Sequence, residues 1–152
     1  MYGDTDVMRR RVAQLREQGV DIRAMAERLV ARTDSIGWTG RAADAMRERI
    51  RDRAAHLREA AAHHDTAADS LEKHLQEVDR LKDSIAGVER RATRLVVDAQ
   101  TRVARAGDAR HHEAPDDSGV TVTADPADQT LAAFAPPPAG HKDWLTVSLP
   151  GL

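Results

Sequence analysis

A chain of 152 residues leaves room for one domain, or for one helical unit and a tail. It holds 27 Ala and 20 Arg against one Phe, one Tyr and two Trp, so helix formers abound while the bulky side chains that fill a wide α/β or β-sandwich interior are few. A net charge of −2, from 23 basic and 25 acidic residues, lacks the basic excess a nucleic-acid binder needs, and zero cysteines exclude disulfides, thiol nucleophiles and thiolate metal sites.

From Asp4 or Thr5, either able to cap a helix, apolar residues recur at Met8, Val12, Leu15, Ile22, Met25, Ala26 and Leu29. Steps mostly of three, four or seven place them on one stripe and predict an amphipathic helix over residues 5–34, about 45 Å long. Gly19 inside it costs about 1 kcal/mol relative to Ala, and Gly37 is placed to end it as a left-handed C′ residue. A second stripe runs through Ala42, Met46, Ile50, Ala54, Leu57, Ala61, His64, Ala68, Leu71, Leu75, Val78, Leu81, Ile85, Val88, Ala92, Leu95, Ala99 and Val103. This near-heptad seam is longer than the first helix can cover, so a partner helix is expected to cover the remainder. Asp83-Ser84 followed by Gly87 predicts a kink or break, with helix two over residues 40–84 and a third helix or continuation over 88–106.

Beyond Gly107 the pattern stops. Residues 107–152 carry 2 basic and 7 acidic side chains, and their polar stretch and the Pro136-Pro137-Pro138 run read as a flexible, largely disordered tail. Within it Val120–Thr123 and Trp144–Leu149 are β-prone, and if the tail docks, Trp144 and Leu149 are its anchors. The expected organisation is therefore a helical part over 1–106 and an acidic tail over 107–152.

Between the two long helices lies Ile36-Gly37-Trp38-Thr39-Gly40-Arg41-Ala42-Ala43, a turn with an indole between glycines. Gly37 permits positive φ, Thr39 can cap the second helix, and Gly40 leaves room for close approach to the ring. Two roles are open to Trp38: a plug that fills the end of the seam between its own helices, or an exposed amphipathic recognition surface.

A Trp-x-Gly turn between two long heptad-patterned helices, followed by Ala42-Ala43 and Met46, resembles the WXG family of small helical-hairpin proteins of type VII secretion systems. The resemblance covers roughly residues 5–85. It implies an all-α fold: an antiparallel hairpin that pairs with a second hairpin, the same chain or another, into a four-helix bundle. It also implies a non-enzymatic secretion substrate or secretion-associated partner, exported without a cleaved signal peptide and cytoplasmic before export, with possible contact to the secretion machinery. Trp38, Gly40 and Gly37 would form the export turn, and Met8, Leu15, Ile22, Leu29, Met46, Ile50, Leu57, Leu71, Leu75 and Val78 the helical seam. The chain departs from the family in running some 50 residues longer. It also lacks a Tyr followed four residues later by Asp or Glu beyond helix two, the spacing of Tyr2 and Asp6 falling at the opposite end. Such a chain would depend on a partner that supplies this part of the signal.

No other constellation points to chemistry. His56, His63 and His74 share a helix face, but spacings of 7 and 11 residues are about 10 and 16 Å along the axis, too far apart for one ion. His64, on the seam, reads as a partly buried, hydrogen-bonded histidine or a pH-sensitive contact. No phosphate loop, nucleophile elbow or distinctive carboxylate pair occurs, so no enzyme, cofactor or metal is expected. There is no basic n-region with an apolar run and no stretch near the roughly 20 apolar residues of a membrane span, and membrane contact is not expected. The competing reading is a cytoplasmic coiled-coil adaptor or chaperone that is not exported.

Overall fold

The computed structural model describes residues 5–112 and 124–152. The order of elements is helix α1 (Thr5–Asp34), helix α2 (Arg41–His112), a short helix α3 (Pro126–Ala132) and one turn of 3-10 helix (Lys142–Thr146), and no strand occurs among the described residues. Two compact units form, Met1–Val78 and Asp79–Leu152, with α2 contributing to both.

In the first unit α1 and the opening half of α2 run antiparallel. Arg16 pairs with Asp69 and Glu72 at 3.2 and 2.6 Å, Arg23 with Asp65, Glu27 with Arg58 at 2.8 Å, and Asp34 with Arg51 at 3.5 Å. Partner numbers rise on one helix as they fall on the other. Most of these side chains are exposed, where ion pairs contribute about 0–1 kcal/mol each, so they select register more than they stabilise. Burial does the stabilising, and it falls on small residues: Ala26, Ala43, Ala54, Ala61 and Ala68 are buried, joined by Val12 and Leu75. Met8, Leu15 and Leu71 close around Val12, Ala68 and Leu75. Alanine at these positions lets helices approach toward the short end of the usual 8–10 Å range. Gly19 is a point of close approach, because a Cβ there would stand 3.0 Å from Asp65 Oδ1 and 3.3 Å from the Ala61 carbonyl oxygen. The glycine read from sequence as a propensity cost is thus a close-approach site.

Helix α2 does not break at Asp83–Gly87, and of the two readings left open there, a third helix or a continuation, the structure has the continuation. Gly87 weakens the helix locally, but Ile85, two residues earlier, is only 2% exposed in a cluster with Ala92 and Trp144, and this packing outweighs a propensity penalty of about 1 kcal/mol.

The expected disordered tail is also corrected over residues 124–152. Asp125 caps α3 by accepting from the Ala127 backbone N–H at 3.0 Å, and Pro126 begins the helix, where its missing N–H costs nothing. Arg102 on α2 holds Asp128 through two hydrogen bonds of 2.6 and 2.8 Å, and Leu131 is buried. Trp144, 2% exposed, packs on Ile85 and Ala92 with Phe134, Val147, Leu149 and Leu152 around it. Its indole N–H donates to the Pro138 carbonyl at 3.0 Å, and the Phe134 ring stands at a centroid distance of 6.2 Å, tilted by 60°. The proline run therefore presents an acceptor to the core. The β-prone stretch at Trp144 forms a 3-10 turn, in which the Trp144 N–H donates to the His141 carbonyl at 3.2 Å. The other β-prone stretch, Val120–Thr123, lies outside the described residues.

Candidate functional site

The Trp38 turn is built from the end of α1 outward. Thr33 Oγ1 donates to the Leu29 carbonyl at 2.8 Å, inside the last turns of the helix, and Ser35 Oγ donates at 2.8 Å to the carbonyl of Arg32, one of the last four that the terminating helix leaves free. The Ile36 N–H still reaches the Thr33 carbonyl at 3.3 Å, after which regular bonding ends. Helix α2 begins with the Gly40 carbonyl accepting from the Asp44 N–H at 3.1 Å.

The positive φ expected at Gly37 falls instead at Gly40. Gly37 is not in the positive-φ region and a Cβ on it would meet nothing within 4 Å, so the turn does not require glycine there. Gly40 has φ +103°, a conformation that L side chains rarely adopt, but the space around it is open. Glycine is needed at position 40 for its backbone angle.

Trp38 is 66% exposed, and Ile36 and Met46 beside it are 43% and 46% exposed. The indole does not plug the contact between its own helices. Together with Thr33, Ala43 and Arg47 these three line a hollow of about 140 Å³. From below, Arg47 reaches up: Nη2 donates to the Trp38 carbonyl at 2.5 Å and to the Ile36 carbonyl at 3.4 Å, while Nη1 pairs with Asp44 at 3.0 Å. Sequence reasoning missed Arg47, because its acceptors are main-chain carbonyls that leave no pattern in the side chains.

Of the expected seam residues, Leu75 is buried and Met8, Leu15 and Leu71 pack with it. Ile22, Leu29, Ile50, Leu57 and Val78 are half-buried, whereas Met46 and the stripe residue Met25 are exposed. The first unit leaves part of its own apolar stripe uncovered. His64 is on the seam as expected, but its Nδ1 is buried with no hydrogen-bond partner, so the expected hydrogen bond is not made there. His56, His63 and His74 are exposed, and among the described residues no three His, Asp or Glu side chains converge as metal ligands would. No helix among the described residues is long and apolar enough to cross a membrane.

No family model, curated protein or solved structure matches the chain.

Proposed function

We propose that this chain is a non-enzymatic helical interaction protein of the WXG type, a type VII secretion substrate or secretion-associated partner. In this reading α1 and the first half of α2 form a hairpin that pairs with a second hairpin protein into a four-helix bundle, and the Trp38-Thr39-Gly40 turn is part of an export signal. The observation that carries the proposal is the outward indole: an aromatic ring with an apolar body and a polar N–H, 66% exposed between Ile36 and Met46, fits recognition by a partner. The exposed Met25 and the half-buried Ile22, Leu29, Leu57 and Val78 support pairing, since another helix would cover the remainder of the stripe. The one tyrosine of the sequence, Tyr2, precedes α1, so the Tyr-containing part of the signal is assigned to the partner.

Substitution tests this directly. Trp38→Ala is expected to leave stability within about 1 kcal/mol, as an exposed side chain should, while abolishing partner pairing and export. Melting temperature and export of this variant, measured in one strain, check the proposal. A destabilised protein that is still exported would return Trp38 to a structural role.

A further inference from the structure

We propose that Arg47 is the positioning residue of the Trp38 turn, tying the main chain down on its inner side so that the indole is held outward in one orientation. The inference rests on reading this turn as a recognition surface, but it concerns how the surface is built.

Between the end of α1 and the start of α2 the chain has little bonding of its own. Among the described residues, none of the backbone N–H groups of Gly37, Trp38 and Thr39 donates to another group of the chain. A segment of this kind, with two glycines in its sequence and a large exposed ring, would ordinarily sample many conformations. Its attachment comes from the carbonyl side. One guanidinium nitrogen of Arg47 bridges the carbonyls of Trp38 and Ile36, at 2.5 and 3.4 Å, and so gathers both sides of the turn onto a single donor. The other nitrogen is fixed by Asp44 one turn earlier on α2, which sets the plane of the guanidinium. The Arg47 side chain is only 23% exposed although it lies at a surface turn, and its stem lines the hollow beside the indole. Hydrogen bonds from a cation to carbonyls are stronger than neutral ones, and the planar fork of arginine reaches several acceptors where the single ammonium of lysine cannot hold the same set. With the carbonyls of residues 36 and 38 drawn inward, the ring between Ile36 and Met46 is held out. A partner meeting a pre-ordered ring does not have to order the turn on binding.

Backbone and indole nitrogen-15 relaxation of the full chain tests the inference without any partner. In the wild type, Gly37, Trp38 and Thr39 and the Trp38 indole are expected to show order parameters near the rigid value of about 0.85. Arg47→Met keeps the aliphatic stem and removes the donors, and the same order parameters are expected to drop below about 0.6 while helix content is retained. Arg47→Lys should recover part of the loss, and Asp44→Ala, which frees the guanidinium without touching the turn, should give a smaller drop of the same sign. If Arg47→Met does not fold, the Lys and Ala variants decide by themselves. Unchanged order parameters at residues 37–39 in folded variants would overturn the inference, even if the melting temperature falls, because that pattern belongs to a residue that merely stabilises the helix. This outcome is separate from the fate of the secretion reading, which is judged by export and pairing of Trp38→Ala.

Discussion

His64 Nδ1 sits on the seam of α2, buried and without a hydrogen-bond partner. An unsatisfied buried polar atom costs about 1–3 kcal/mol, whereas an apolar side chain of similar shape costs nothing of this kind. His64→Leu is accordingly expected to raise stability by about 1–2 kcal/mol, read as an increased melting temperature. Asp128 makes the opposite kind of contribution. Its carboxyl is held below the usual carboxylate range, chiefly by the hydrogen bonds from Arg102 and further by that cation's charge, with partial burial opposing. A depressed folded value means stability that is present above the ordinary carboxylate range and is lost as pH falls through the depressed value. An acid titration followed by Trp144 fluorescence should therefore show the 124–152 segment loosening on the acid side of that range, and Asp128→Asn should remove the step.

At the scale of elements, the two helical glycines call for opposite treatment. Gly87 has ordinary helical φ, and a Cβ there would meet only the flexible end of Arg91 at 3.8 Å, so Gly87→Ala is expected to stabilise by about 1 kcal/mol through propensity alone. Gly19 faces the Ala61 carbonyl and Asp65, and Gly19→Leu should cost about 1–3 kcal/mol by forcing the helices apart. Thermal denaturation of the two variants separates these effects, and equal shifts of the same sign would refute the packing argument. This contrast also shows what the sequence could disclose. The bounds of α1 were legible because Met8, Val12, Leu15, Ile22 and Leu29 keep helical spacing without interruption. The continuity of α2 was not, because Gly87 signals weakness locally while its compensation comes from Trp144, distant in sequence. Helix α3 carried a readable start in Asp125-Pro126, but lay in a stretch whose composition suggested disorder. At the turn, the exposure of Trp38 was one of two open roles, the positive φ was expected at Gly37 and falls at Gly40, and Arg47 left no trace.

At the scale of the whole molecule, each unit has its own way of covering α2: a long helix over the first half, and over the second an assembly of α3, a 3-10 turn and the apolar residues between them and after them. The second cover depends heavily on one ring. Trp144→Ala is expected to cost about 3–5 kcal/mol, as large-to-small changes in a core do, and to raise amide exchange across residues 124–152. The first unit, whose core at Val12, Ala68 and Leu75 contains none of these residues, should keep its protection, which hydrogen exchange of the variant resolves. The two covers also differ in order of synthesis. On a ribosome α1 already exists when its seam on α2 emerges, so those alanines are covered as they appear. The seam at Ile85 and Ala92 must wait for Trp144 to Leu152, about fifty residues later, which at bacterial to eukaryotic elongation rates is roughly 3–10 s of apolar helix surface without that cover. In a nascent chain this interval is when a chaperone, a neighbouring polysome product or aggregation can capture the helix, so slowing translation between codons 100 and 144 should lower the soluble yield more than the same delay placed before codon 40.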